Sequence, residues 1–287
     1  MAEKELWLID TDCGVDDAQA LVLAFSHTEA LNYDVVAITT TVGNTIVDHV
    51  DKNVAEVLRI CERTDVPIYR GAEHPILRNR TELFGAAEVH GNDGMNGYWG
   101  REFGDKPEPE LKKVEDMPAA LAIIKYLHDY DGKLNVITIG PLTNLATAVL
   151  IDRSITEKVK RLVVMGGAVT GKGNITHAAE FNIWADPEAS NIVLDAFPRI
   201  EIIDWELSTS EDHSLSEAFL EKYKNCMETP KGKFVHSVTT AEGMLFFADA
   251  LAMAVAIDPN LVTKSTDREC YLEMFGPYSR GMMIVNW

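Results

Sequence analysis

The sequence predicts an α/β fold: one domain built on a mostly parallel, open sheet flanked by helices, with a C-terminal hairpin. Two observations carry this. Short apolar runs alternate with stretches of helical period along most of the chain, the signature of strand–helix–strand units around a parallel sheet. At 287 residues the chain is also long enough to bury a substantial core as one large domain, or two at most.

Strands are expected at Glu5–Asp10, Asp34–Thr41, Pro67–Tyr69, Leu134–Ile139, Arg161–Met165 and Ile200–Asp204. Between them, periodic stretches predict helices at Asp16–His27, Val47–Arg63, Pro118–Asp129, Leu142–Leu150 and Pro187–Ala196. Two segments break the alternation. Gly71–Pro109 is rich in Gly, Pro, Asn and charge and reads as a long irregular excursion, of the kind that is usually functional or mobile. Ser208–Val238 reads as a polar, helical insertion placed to cover a site. The chain closes with Tyr271–Phe275, a Gly-Pro turn and Arg280–Trp287, a hairpin whose edge needs protection.

Composition narrows the function. A formal charge of -19 disfavours nucleic acid and anionic membranes as partners. No apolar run has the length of a membrane span; Leu245–Ile257 is short and contains Asp249. A strand beginning at about residue 5 leaves no room for a signal peptide. Cys13, Cys61, Cys226 and Cys270 are widely spaced, which fits reduced thiols and a cytoplasmic location.

The chemistry is expected where the first strand ends. Asp10, Asp12, Asp16 and Asp17 crowd into Asp-Thr-Asp-Cys-Gly-Val-Asp-Asp. Two carboxylates about 4 Å apart repel by roughly 4 kcal/mol at an effective dielectric near 20. Such acids take up protons, splay into solvent, or share a cation. Apolar residues on both sides argue against splaying, so the cluster reads as a metal site. Singly, the same acids also fit a turn cap at Asp10 and an acidic helix start at Asp16 and Asp17. An all-oxygen donor set favours calcium or magnesium over zinc. Asp249, alone in its apolar run, is either a helix cap or a further ligand from late in the chain. Asn174, Glu180 and Asn182 follow the Val163–Gly167 strand end and suit sugar hydroxyls. Asn44 follows another strand end, and His90 is either a substrate contact or a loop histidine. Cys13 has no partner base and reads as a space-filling residue.

The stretch Asp10–Asp17 resembles the N-terminal fingerprint of the inosine-uridine-type nucleoside hydrolases. Thr41-Val-Gly-Asn44, Gly140-Pro-Leu-Thr-Asn-Leu-Ala146, Met165-Gly-Gly167, Glu180-Phe-Asn182 and Asp186–Ala189 match in order. The resemblance runs from about residue 5 to the C-terminus, so one domain over 1–287 is expected, lacking the family's usual closing segment. It implies hydrolysis of the N-glycosidic bond of a ribonucleoside or related N-riboside in a homo-oligomer. One Ca2+ per subunit is implied, held by Asp12, Asp17, Asp249 and the main-chain carbonyl of Ile139. Asp12 is implied as general base to a metal-bound water, and Asp10 as support for its loop. Asp16, Asn44, Asn174, Glu180 and Asn182 are implied to grip the ribose, with Met165 beneath it.

Departures from the pattern bear on the substrate. Ala248 stands where some members carry a His or Trp that assists the departing base. Trp205-Glu206 also departs from the Val-Thr often found there, leaving His213, His236 or a stacking Trp205 as substitutes. Two other readings are weighed: a catalytically impaired nucleoside- or ribose-binding protein, and a magnesium phosphohydrolase. The second needs basic phosphate contacts that the strand-end loops do not offer.

Overall fold

The computed structural model describes residues 3–77, 86–209, 217–239 and 247–287. Six parallel strands form one sheet in the order β3-β2-β1-β4-β5-β6. They are β1 (Glu5–Thr11), β2 (Tyr33–Thr40), β3 (Ile68–Tyr69), β4 (Leu134–Thr138), β5 (Val159–Met165) and β6 (Glu201–Ile203). Each expected strand is present within two residues of its expected bounds, so the α/β reading holds.

Strand β1 is central, pairing with β2 on one side and β4 on the other. Both its faces are therefore covered. Trp7 and Ile9 join one core cluster, with α1 (Val15–Ala24) and α2 (Val47–Ile60). Leu8 joins the other, with α5 (Ala119–Tyr130), α6 (Thr143–Ile151) and α8 (Pro187–Ala196). A strand buried on both faces needs the continuous apolar run that Leu6–Ile9 supplies.

In this order the connections run outward in opposite directions from β1 and β4. The crevice beyond their carboxyl ends is the switch point at which ligands bind in open α/β sheets. The Asp10–Asp17 stretch leaves β1 there, and Ile139 and Gly140 leave β4 beside it.

Of the two segments outside the alternation, the first contains helices where an irregular excursion was expected, and the described part of the second is helical as expected. Gly71–Pro109 contains α3 (Ala87–His90) and α4 (Tyr98–Glu102), with Met95, Tyr98 and Trp99 buried in the core on the α1 side. The 208–238 insertion contributes to α9 (Trp205–Thr209), α10 (Glu217–Cys226) and α11 (Pro230–Thr239). Helix α11 packs on α1 and α2 through Phe234, Val235 and Val238, so this part is a core element and not a cover. The apolar run near the end becomes α12 (Ala248–Ile257), lying along α1. A separate antiparallel hairpin, β7 (Cys270–Leu272) with β8 (Met283–Val285), packs on α8 and buries Leu272 and Met283. No helix among the described residues is long and apolar enough to cross a membrane.

Candidate active site

Period-two alternation along β1 sorts its terminal acids. Asp10 points to the α6 side, where its Oδ1 accepts from Thr39 Oγ1 at 2.5 Å and Asn144 Nδ2 at 2.7 Å. Asn144 also donates to the Thr40 carbonyl at 2.8 Å, so Asp10 braces the strand ends beneath the crevice. Thr11 points the other way and donates to Asp17 Oδ1 at 2.6 Å.

The chain then turns sharply at Cys13, whose φ of +23° is a conformation that non-glycine residues rarely adopt. Its thiol is fully buried, and burial and the surrounding acids push its pKa well up, as suits a packing residue. Asp17, the third residue of α1, accepts from the Gly14 N–H at 2.9 Å and from Asn44 Nδ2 at 2.9 Å. The helix-start reading of Asp17 is thus correct, and it does not exhaust the residue.

Asp12 occupies a tight slot. Its Oδ2 accepts from the Asn44 backbone N–H at 2.7 Å, while its buried Oδ1 has no hydrogen-bond partner among the described residues. Gly43 and Gly140 flank it: a Cβ at Gly140 would lie 2.8 Å from Oδ1, and one at Gly43 would overlap Oδ2. Helix α12 brings Asp249, 3% exposed, against the same cluster from the far end of the chain. Asp249 sits in the first turn of α12 without capping it, so the cap reading fails. Oxygens of Asp16, Asp17 and Asp249 lie within 4.8 Å of one another. Asp17 also lies within hydrogen-bonding reach of the Asp12 carboxyl.

Electrostatics follow from this crowding. Burial, and then the neighbouring carboxylates, push Asp12 and Asp249 well above the usual carboxylate range. Burial raises Asp10 and Asp16 to about 7, with Asp17 adding repulsion in both cases. Asp17 is raised by burial but restrained by the donors from Thr11 and Gly14. Without a counter-charge, this environment favours the protonated form of each acid more than water does.

A cavity of about 210 Å³ opens above the cluster. Of the sequence-predicted residues, Asp16, Asn44, His90, Ile139, Met165, Asn174, Glu180, Asn182 and Asp249 line it. Asp12 and Asp17 lie beneath, fully buried. The described lining includes no Lys or Arg, so it offers none of the basic contacts that a phosphohydrolase needs.

The far wall is set by the start of α7 (Phe181–Ala185). Glu180 caps it, accepting from Asn182 N–H at 2.7 Å and Ile183 N–H at 3.1 Å, and it also accepts from Gly167 N–H at 2.8 Å. Burial nonetheless raises Glu180 to about 7. Asn174 Oδ1 accepts from Phe181 N–H at 2.8 Å. Asn182 Nδ2 reaches the Ile139 and Met165 carbonyls, each at 3.3 Å, joining the ends of β4 and β5. Opposite stands His90, its Nδ1 accepting the Val15 N–H at 3.1 Å. Burial lowers its pKa to about 4, so the ring is neutral with its proton on Nε2.

Sequence reasoning missed the apolar wall. Ala86, Val89, Ile175 and Phe181 line the cavity, and nothing in the sequence separates them from core residues. Trp205 and Ala248 line it too. His236 is exposed on α11 and absent from the lining; His213 lies outside the described residues. The Asp186–Ala189 motif is structural: Asp186 caps α8 through Ala189 N–H and accepts from Thr143 Oγ1 at 2.7 Å.

A parallel sheet with buried acids at its switch point, under a pocket whose described lining carries no Lys or Arg, defines an α/β protein with a carboxylate-based site. The family model described as inosine-uridine preferring nucleoside hydrolase matches residues 7–287. The chain belongs to this family of N-glycosyl hydrolases. It is 34% identical to the non-specific ribonucleoside hydrolase RihC of Salmonella enteritidis PT4 over 288 residues, 97% of this chain and 87% of that one. A probable uridine nucleosidase 1 of Oryza sativa subsp. japonica is 34% identical over 209 residues, 72% of this chain but only 60% of the rice protein. The purine-preferring ribonucleoside hydrolase from Gardnerella vaginalis superposes with a TM-score of 0.81 at 26% identity, covering 98% of this chain and 88% of that one.

Proposed function

We propose that the protein hydrolyses the N-glycosidic bond of a ribonucleoside or a related N-riboside to ribose and free base, using Ca2+. The observation that carries this reading is the buried cluster in which Asp17 lies against both Asp12 and Asp249, with no hydrogen-bond partner for Asp12 Oδ1 among the described residues. Hard carboxylate oxygens with no nitrogen or sulfur donor fit calcium. Asp12, Asp17, Asp249 and the Ile139 carbonyl would hold it. Bound there, the ion would supply Lewis acidity that makes a water easier to deprotonate.

The chain's own residues do the rest. Asp12 takes the proton of the attacking water at Oδ1, while the Asn44 N–H holds Oδ2 and fixes the carboxylate plane. Asp16, Asn44, Asn174, Glu180 and Asn182 orient the ribose hydroxyls, over the Met165 side chain. Positive charge develops on the ribose ring as the base departs, and the surrounding carboxylates and amide oxygens stabilise it. Phe181, Val89 and Trp205 give the base an apolar berth, and His90 offers a neutral N–H donor beside it. A homo-oligomeric, cytoplasmic enzyme is the companion expectation.

The test is ribose release from purine, pyrimidine and nicotinamide ribosides, with and without a calcium chelator, beside Asp12→Ala. Calcium-dependent release abolished in the variant supports the reading. Tight ribose binding without release from folded, calcium-loaded protein favours the binding-protein alternative, for which Ala248 in the pocket wall is the motivating observation.

A further inference from the structure

Asn53 lies in the middle of α2, fully buried, and touches nothing in the pocket. Both ends of its amide are engaged. Oδ1 accepts from Trp99 Nε1 at 2.8 Å, and Nδ2 donates to the Cys13 carbonyl at 3.1 Å and the Asp93 carbonyl at 2.8 Å. The orientation is unambiguous, because an indole N–H only donates and a carbonyl only accepts.

The two carbonyls belong to different parts of the site. Cys13 is the positive-φ residue that swings Asp12 and Asp17 toward each other. Asp93 lies in the turn after His90, where Gly94 has a φ of +75° and a Cβ would meet Asn53 Nδ2 at 3.0 Å. The same two segments touch again where Val15 N–H donates to His90 Nδ1.

We infer that Asn53 is a positioning residue that pins the His90-bearing turn to the Asp12–Asp17 turn, setting the metal-ligand cluster and one pocket wall in a fixed relation. The inference rests on the hydrolase reading only for its kinetic consequence. Aspartate at this position keeps the shape and the acceptor for Trp99, but turns an oxygen toward both carbonyls. Trp99→Phe removes only the indole bond.

The experiment compares wild type, Asn53→Asp and Trp99→Phe as full chains below their melting temperatures. It measures calcium affinity by calorimetry, hydrogen exchange across residues 86–103, and KM and kcat for the riboside that wild type cleaves fastest. Asn53→Asp is expected to weaken calcium binding about 10- to 100-fold, as loss of an outer support typically does, to speed exchange across 86–103 and to raise KM. Trp99→Phe is expected to lower Tm with calcium affinity and KM near wild type. Wild-type exchange and affinity in Asn53→Asp overturn the inference, and so does Trp99→Phe reproducing its losses. If Asn53→Asp does not fold, Asn53→Ala, which removes both donors without adding charge, is read in the same way. Exchange reports on the clamp even if wild type binds no calcium or releases no ribose, so failure of the hydrolase reading is separately visible.

Discussion

The Asn44 backbone N–H reaches Asp12 Oδ2 at 2.7 Å, while Asp12 Oδ1 has no hydrogen-bond partner among the described residues. A buried oxygen left in this state costs free energy unless a ligand uses it. Asp12→Asn preserves shape but removes the base. Its kcat is expected to fall by about 10²- to 10⁴-fold, the usual contribution of a positioned proton acceptor, with the fold intact by circular dichroism. Steady-state ribose release checks this, and an active Asp12→Asn enzyme refutes the assignment.

Gly140 is required by space and not by backbone angle. A Cβ there would stand 2.8 Å from Asp12 Oδ1 and 2.9 Å from the Asp12 nitrogen. Gly140→Ala is expected to destabilise by about 1–3 kcal/mol through overpacking, and to lower calcium affinity by displacing the carboxylate. Thermal melts and calorimetric titration measure the two effects. Unchanged affinity means that the carboxylate has room to move.

The acids make the metal-free protein sensitive to pH. Asp10, Asp16 and Glu180 are each raised to about 7, chiefly by burial. In the folded state they therefore hold protons that the unfolded chain releases near its ordinary carboxylate values. Their stabilisation is complete below about pH 4, the unfolded carboxylate range, and is lost as pH rises through about 7. Chelated protein is expected to melt at a lower temperature at pH 8 than at pH 5. Added calcium should raise Tm most at pH 8, where the ion replaces the missing protons. Melts at both pH values, with and without calcium, decide it; a chelated protein more stable at pH 8 contradicts the burial argument.

Stereochemistry tests the direct attack of water. In the proposed pose, with Asp12 on the floor of the pocket and the base against the Phe181–Trp205 wall, water would attack the face opposite the leaving group. The product is expected to be the inverted anomer of ribose, seen by proton NMR before mutarotation. Retention points instead to a covalent intermediate on one of the carboxylates.

Much of this molecule was legible along the chain because its information is local. Six apolar runs predicted six parallel strands, and period-two alternation separates Asp10 from Thr11 without any tertiary knowledge. The density of acids after β1 flagged the site, because repulsion between neighbours in sequence does not depend on the fold. Asp249 stood out for the related reason that a lone carboxylate in an apolar helix needs a partner, although the sequence does not say which one.

Only the tertiary structure decided the remainder. The packing of α12 along α1 brings Asp249 to Asp17, and the 3-2-1-4-5-6 strand order brings the Ile139 and Met165 carbonyls to one Asn182 amide. Phe181 and Val89 became pocket wall instead of core, and Asn53 became a clamp between segments distant in sequence. The physical reason is common to all of them. Burial and hydrogen-bond satisfaction are properties of three-dimensional neighbours, and an apolar side chain or a single amide carries the same local signal whether it fills a core, faces a ligand or ties two loops together.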